Sequence, residues 1–175
     1  MTRGIPYAVE EATKALAERG IIYKRGGKWI LHPEKAREMP VTVVLEDLLV
    51  ERAKDLSDKF KQVLSLLSAA GGRADFALIE HLSGFRREEL FYLLDELVHM
   101  RFLMKDPGET PCYVLQSPKL REHFLRQLPE KNRRKLHYTI GRFLEKRHRE
   151  APDEAVEALA HQFFEAGDEK RALGY

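Results

Sequence analysis

The chain has 175 residues, of which 43% are apolar and 33% charged, so it can bury a core and stay soluble. Its 30 Lys and Arg residues nearly balance 28 Asp and Glu residues, which excludes a generally polycationic nucleic-acid binder and an acidic disordered tail. No apolar stretch approaches the length of a membrane span, and the N-terminus lacks the apolar run of a signal peptide. Cys112 is the only cysteine, so no internal disulfide can form and we expect a cytoplasmic protein.

The motifs of common catalytic and metal sites are missing from the sequence. Two Gly-Gly pairs precede a basic residue, but Trp29 or Ala74 follows where a phosphate-binding loop needs Ser or Thr. Neither Gly-x-Ser-x-Gly nor His-Glu-x-x-His nor Cys-x-x-Cys occurs. The histidines form no ligand-spaced pair with a carboxylate or a thiol, and no base is predicted beside Cys112. We therefore expect no enzymatic activity, no metal and no cofactor in this chain.

The first part of the chain predicts a helix followed by a hairpin. Residues 6–19 carry apolar side chains at helical spacing, with a proline near the start and a glycine after the end. Two β-rich runs, 21–25 and 28–31, flank a Gly-Gly pair and predict a tight hairpin. We expect Tyr23 and Trp29 to pack across its strands rather than to form a ligand platform. A polar connector with two prolines is predicted to follow over residues 33–41.

From residue 43 onward the apolar periodicity is helical, interrupted by one further hairpin. Stop signals divide this part into predicted helices over 43–56, 57–70, 76–82 and 86–100, with a hairpin over 102–115 that turns at 106–109. A helix, a short helix, a longer helix and a hairpin in this order are typical of a winged-helix domain. Ser117 before a proline predicts the start of the next helix, and helical periodicity continues to residue 149.

Basic residues are concentrated in the segment 119–149, which holds eleven of them against three acidic ones, a local charge of +8. Three interpretations of this segment are open. It is a face that binds anions or nucleic acid, a docking face for an acidic domain, or the solvated exterior of helices whose apolar residues point inward. The candidate face consists of Arg121, Arg126, Lys131, Arg133, Arg134, Lys135, Arg142, Lys146, Arg147 and Arg149.

The predicted helix 86–100 bears on this choice, because a DNA-reading winged helix places its third helix in the major groove. Its predicted exposed positions include Tyr92, His99 and four acidic residues, which would repel phosphates at close range. The acidic residues are Glu88, Glu89, Asp95 and Glu96. Arg86 and Arg87 stand only at the start of this helix. We therefore expect a structural and protein-contact module, with a winged-helix DNA-binding transcriptional regulator as the alternative.

Several short motifs follow one another in a fixed order. They are GIPYAVEE at 4–11, ALAERGII at 15–22 with GKW at 27–29, RAKDLS at 52–57 with VLSLLSAAG at 63–71, LDELV at 94–98 with FL at 102–103, and ALAHQFFEAGD at 158–168 with RALGY at 171–175. The order and the residues of these motifs resemble the region that follows the nucleotide-binding domain in bacterial STAND-class signalling ATPases. These proteins are P-loop regulators related to AAA+ proteins. The resemblance covers nearly the whole chain.

The resemblance implies a mainly α fold: a winged helix, two small β-hairpins and additional C-terminal helices. The implied parts are a lid-like helix and hairpin (1–33), a winged-helix domain (43–116), a helical hairpin (117–150) and the truncated start of a tetratricopeptide-like repeat (152–175).

The resemblance also implies that Gly4, Pro6 and Ser117 lie near the nucleotide of a separate ATPase domain. The family often has His where Ser117 stands, and a Ser hydroxyl donates a hydrogen bond without carrying a positive charge. The Asn of the family's lid motif is Ile5 in this chain.

The function implied is a non-catalytic regulatory arm that relays nucleotide state between an ATPase domain and a repeat sensor domain by rigid-body rotation. Without a phosphate loop, a Walker B acid and an arginine finger, the chain cannot hydrolyse ATP by itself. The expected partners are the ATPase and repeat domains of the same parent protein, with no membrane. DNA is the partner under the alternative, and a plain adaptor scaffold that ignores both ATP and DNA is a third hypothesis.

Overall fold

The computed structural model describes residues 5–107, 111–149 and 155–175, apart from the side chains of residues 5–9 and 11. Its helices and two small antiparallel sheets confirm the predicted mainly α fold with small β-hairpins. By its internal contacts the chain divides into two compact units, Met1–Leu56 and Ser57–Tyr175. Within the described ranges, every helix is too short or too polar to cross a lipid bilayer.

Within the residues that the structure describes, the first unit contains three helices and one hairpin. Its elements are α1 (Ile5–Glu18), β1 (Ile22–Arg25), β2 (Lys28–Leu31), α2 (Pro33–Glu38) and α3 (Val41–Lys54). Ile21, Val44 and Ala53 are its fully buried apolar residues among those described. Helix α3 thus lies in the first unit, although its residues from 43 onward belong to the range 43–116 predicted for the winged-helix domain.

The hairpin of the first unit confirms the prediction made from the Gly-Gly pair. Strands β1 and β2 are antiparallel, with Ile22 opposite Leu31. Gly26 and Gly27 form the two-residue turn at φ values of 59° and 78°. A hairpin turn this short needs positive φ at both central residues, which glycine adopts without steric cost.

Helix α2 occupies the segment where the sequence analysis predicted a polar connector. Pro33 stands in its first turn, where the missing N–H of proline would have no helical partner anyway. Glu34 in the first turn and Arg37 in the last turn lie where the helix dipole favours their charges. Proline therefore begins a helix at this point instead of interrupting the chain.

The second unit begins with the elements of the predicted winged helix. They are α4 (Asp58–Ala69), β3 (Arg73–Asp75), α5 (Phe76–Ser83), α6 (Arg87–His99), β4 (Leu103–Asp106) and β5 (Cys112–Leu115). Strand β5 pairs with both β3 and β4, all antiparallel. The strand β3 is absent from the sequence prediction, and residues 108–110 of the predicted turn lie outside the described ranges.

Helices α4 and α6 of the winged helix bury their apolar stripes against each other. Leu64, Leu67, Leu90, Leu94 and Leu97 are fully buried. Burial of each such side chain contributes about 1.5–3 kcal/mol before the cost of ordering the chain is subtracted. This shared core sets the relative positions of α4 and α6, and with them the outward face of α6.

Four further helices lie in the described part of the second unit. They are α7 (Pro118–Gln127), α8 (Glu130–Arg147), α9 (Val156–Ala166) and α10 (Glu169–Ala172). Helices α8 and α9 approach closely because Gly141 leaves room for Phe163, whose ring would lie 3.0 Å from a Cβ atom at that position. The buried His137 Nδ1 donates a hydrogen bond of 2.7 Å to Gln162 Oε1 on α9. Packing and one buried polar pair thus fix α9 against α8.

Candidate functional site

The basic residues of the candidate face lie on α7 and α8, and several of them form ion pairs within their own helix. Pairs spaced three or four residues apart on exposed helix surfaces contribute about 0.2–0.5 kcal/mol each. These pairs are Arg126–Glu122 at 3.3 Å, Arg134–Glu130 at 2.6 Å and Arg142–Glu145 at 2.6 Å. All three acidic residues of the basic segment therefore neutralise a neighbouring arginine.

Arg147 joins the end of α8 to the start of α5. Both of its terminal nitrogens donate hydrogen bonds to the Asp75 carboxylate, and its guanidinium lies 4.6 Å from the centroid of the Phe143 ring. Asp75 also accepts a hydrogen bond of 2.8 Å from the Leu78 backbone N–H, which caps α5. Next to this contact the His81 and Phe143 rings lie 5.0 Å apart between the same two helices.

The surroundings of Asp75 favour its charged form. The side chain is almost completely buried, and burial alone would raise its pKa. The hydrogen bonds from Arg147 and from the backbone N–H of Leu78 outweigh burial, so that the pKa of Asp75 lies below its ordinary value. The pair formed by Asp75 and Arg147 is therefore a charged contact at neutral pH.

A second contact holds α7 against α4. The Arg121 Nε donates a hydrogen bond of 3.2 Å to the backbone oxygen of Ser68, near the end of α4. Ser117 is buried, and its Oγ accepts a hydrogen bond of 3.2 Å from the Leu120 backbone N–H as the N-cap of α7. The predicted helix start at Ser117 is confirmed, and this hydroxyl is engaged with its own helix.

Four basic residues of the candidate face keep exposed side chains without an ion pair to any described residue. They are Lys131, Lys135, Lys146 and Arg149. Because α-helical residues advance about 100° each, the three lysines fall within roughly 60° on one stripe of α8. Arg133 is partly buried, and its Nε has no hydrogen-bond partner in the part of the chain that the structure describes. Most of the candidate face is therefore engaged in contacts. What remains is a lysine stripe, formed by Lys131, Lys135 and Lys146, and the nearby Arg149.

A groove of about 1120 Å³ lies beside the end of this stripe. Its lining combines the aromatic rings of Tyr138, Phe143 and Tyr175 with Lys146 and Arg149. The Tyr175 hydroxyl donates to Glu145 at 3.0 Å. This lining offers rings and cations to an anionic partner.

The outward face of α6 is aromatic as well as acidic. Tyr92 is 62% exposed and Phe91 47% exposed, and the Phe91 ring stacks on Phe76 with centroids 4.2 Å apart. Glu88, Asp95 and His99 are exposed beside them, whereas Glu89 and Glu96 are half-buried. Lys59 and Lys105 pair with Glu89 and Asp95 respectively. The sequence predicts acidic residues on this face, whereas the exposure of Phe91 is evident only from the structure.

The two remaining candidates for nucleotide proximity lie at the start of the chain. Gly4 lies outside the described residues. Pro6 belongs to the first turn of α1, and its side chain is not among those described. Pro6 belongs to the first compact unit and Ser117 to the second.

Among the described residues, no three His, Cys, Asp or Glu side chains are arranged to hold a metal ion. Comparisons of the chain with known protein families, with curated proteins and with solved structures give no match.

Proposed function

We propose that this chain is a non-catalytic regulatory arm of a STAND-type P-loop ATPase signalling protein. In this role it relays nucleotide state between an ATPase domain and a repeat sensor domain of the same parent protein. The proposal rests on the ordered motifs of the sequence and on one structural observation. That observation is the charged contact of Asp75 with Arg147, which ties the winged helix to the helices that follow it.

A relay by rigid-body rotation requires that the two ends of the arm move together. Asp75 and Arg147 lie 72 residues apart in the chain, and their contact joins α5 to α8. Helix α8 in turn carries α9 through the packing of Gly141 against Phe163 and the bond between His137 and Gln162. These contacts give a continuous path from the winged helix to the helix that resembles the start of a repeat.

The face of α6 supports contact with protein rather than DNA. Exposed aromatic side chains such as Phe91 and Tyr92 are enriched in protein interfaces. The acidic residues beside them disfavour the approach of a phosphate backbone. Under the proposal, this face is where the arm meets another domain of the parent protein.

The relay is tested by native-state hydrogen exchange of the Asp75→Asn variant. If the contact with Arg147 unites the arm, its loss lowers the stability of α9 as well as that of α5. A loss confined to α5 would contradict the relay.

The lysine stripe on α8 favours the second candidate, a winged-helix DNA-binding regulator. Lys131, Lys135 and Lys146 are exposed without ion pairs to described residues and follow one line of the helix. Over 15 residues this line is about 22 Å long, which is compatible with a run of backbone phosphates. A regulator of this kind binds DNA through counterion release, so its affinity falls steeply with salt.

A fluorescent generic duplex, titrated at low salt and again near physiological salt, separates the two candidates. The Lys131→Gln/Lys135→Gln double variant removes two exposed cations that form no ion pair with a described residue. The DNA-binding regulator requires binding near physiological salt that this variant weakens by about tenfold or more. The regulatory arm predicts that the variant leaves any duplex binding near physiological salt unchanged.

A further inference from the structure

The tip of the β1–β2 hairpin combines exposed aromatic and basic side chains. Trp29 is 52% exposed, and Tyr23 and Leu31 on the same hairpin are also exposed. Tyr23 and Trp29 do not pack on each other: Trp29 stands opposite Lys24, and Tyr23 stands opposite Ile30 on the other face of the ribbon. The predicted packing of the Tyr23 and Trp29 rings across the strands is therefore wrong. About half of the indole is instead left in contact with water.

The tip of the hairpin carries three basic residues. Lys24, Arg25 and Lys28 are exposed and pair with no acidic side chain among the described residues. Many exposed cations elsewhere in the chain, such as Lys59 and Lys105, have a carboxylate within reach. The Lys24 Nζ lies 5.9 Å from the centroid of the Trp29 ring and so keeps a cation beside the exposed indole.

The shape of the tip leaves these side chains open to a ligand. Its turn consists of two glycines, and a Cβ atom built on either would meet no other atom within 4 Å. The tip is therefore a narrow ribbon end, with three cations and a ring projecting next to a turn that has no side chains of its own. Trp29 is the aromatic residue nearest the turn, and its exposed ring offers a flat face on which an unpaired base can stack.

We propose that this hairpin binds single-stranded nucleic acid. Trp29 stacks on one unpaired base, and Lys24, Arg25 and Lys28 contact the phosphates on either side. Stacking on an aromatic side chain needs a base outside a duplex, which is why a single strand fits this arrangement better than double-stranded DNA. This activity is independent of the proposed regulatory role and of the lysine stripe on α8.

The chain itself supplies the probe, because Trp29 is its only tryptophan. A dT 12-mer titrated at low salt is expected to quench the fluorescence of Trp29. Three phosphate contacts predict that the logarithm of the association constant falls against the logarithm of salt concentration with a slope of about −2. A duplex of the same length is expected to bind more weakly, since its bases are not available for stacking.

Variants separate stacking from charge, with binding followed by the anisotropy of a dye-labelled dT 12-mer. Trp29→Ala is expected to weaken binding by about 5- to 100-fold with the salt slope unchanged, and Trp29→Phe to restore part of the affinity. Lys24→Gln/Lys28→Gln is expected to reduce the slope to about −0.7. Lys131→Gln/Lys135→Gln removes the same charge from α8 and is expected to leave binding unchanged.

Circular dichroism of each variant checks that the fold persists, which the exposure of the altered side chains favours. Four results would overturn the proposal. They are no quenching at low salt, equal loss of binding in the two double lysine variants, duplex bound as tightly as the single strand, and a Trp29 emission shift with phosphatidylserine vesicles but not with dT. The last result would assign the hairpin to an anionic lipid surface instead.

Discussion

Asp75 serves two neighbours at once, since its carboxylate caps α5 and accepts two hydrogen bonds from Arg147. The pair is far better shielded from water than the pair of Arg73 with Asp106, whose side chains are both about half exposed. Shielding from water strengthens a charged hydrogen bond, and it also makes an unpaired partner more costly. At the scale of single residues, this contact is therefore the one whose loss the second unit tolerates least among its ion pairs described here.

Asp75→Asn removes the charge while its remaining oxygen can still cap α5. We expect the free energy of unfolding, measured by urea titration at pH 7, to fall by about 1–2 kcal/mol. Asp106→Asn is the matched control, because it breaks an exposed pair of the same type and should lower stability by no more than about 0.5 kcal/mol. Equal losses in the two variants would contradict the special role of Asp75.

The difference in stability between wild type and Asp75→Asn depends on pH, because the pKa of Asp75 is lowered in the folded protein. Because the pKa of Asp75 is lower in the folded than in the unfolded chain, the charged Asp75 contributes fully to the free energy of unfolding above about pH 4. This contribution is lost as the pH falls through the lower folded pKa. Wild type and Asp75→Asn should therefore converge in stability under strongly acidic conditions.

The buried His137 makes the stability of the second unit depend on pH closer to neutrality. Burial, above all, lowers its pKa, and nearby His161 and Arg133 act in the same direction, while the hydrogen bond to Gln162 and the charge of Glu165 oppose them. The unfolded chain therefore binds a proton at a higher pH than the folded chain does, so stability is full above about pH 6.5 and falls below it. His137→Gln removes this titration and should flatten the urea midpoint between pH 7 and pH 5.5.

A wild-type urea midpoint that stays constant between pH 7 and pH 5.5, or one whose pH dependence His137→Gln leaves intact, would contradict the assignment to His137.

At the scale of secondary-structure elements, the packing of α9 on α8 depends on one missing side chain. Gly141→Ala would place a methyl group 3.0 Å from the ring of Phe163, which is completely buried and lies in a cluster with Ala155 and Leu159. We expect a net loss of about 1 kcal/mol in urea titration, because overpacking exceeds the gain in helix propensity.

Phe163→Leu tests whether crowding against the Phe163 ring causes the loss of stability in Gly141→Ala. Alone it should also destabilise the unit, because it removes buried ring atoms. Combined with Gly141→Ala, it should lose less than the sum of the two single effects, since the smaller side chain makes room for the methyl group. Additive losses would show that the two residues do not compete for space.

Elements with a strong local pattern were predictable from the sequence. The hairpin turn follows from its two glycines, and α6 from apolar residues at helical spacing. Strand β3 escaped prediction because its three residues carry no alternating pattern and it forms only by pairing with β5. The sequence likewise marked the basic residues of α8, but no local signal indicates that Arg147 contacts Asp75 from 72 residues away.

At the scale of the whole molecule, each of the two compact units has its own buried residues. Within the second unit, the path from α5 through Asp75, Arg147 and α8 to α9 implies a single cooperative body. A cooperative unit opens as a whole, so its slowest-exchanging amides share one free energy of opening. The regulatory role requires this behaviour, because an arm whose ends open separately cannot transmit a rotation.

Native-state hydrogen exchange shows whether α6 and α9 open together. The slowest amides of α6 and α9 should have the same free energy of opening, and Asp75→Asn should lower both by the same amount, about 1–2 kcal/mol. Asp106→Asn should change neither by more than about 0.5 kcal/mol. If α9 instead opens at a lower free energy than α6, and Asp75→Asn leaves that value unchanged, the winged helix and the following helices move independently and the chain is not a relay.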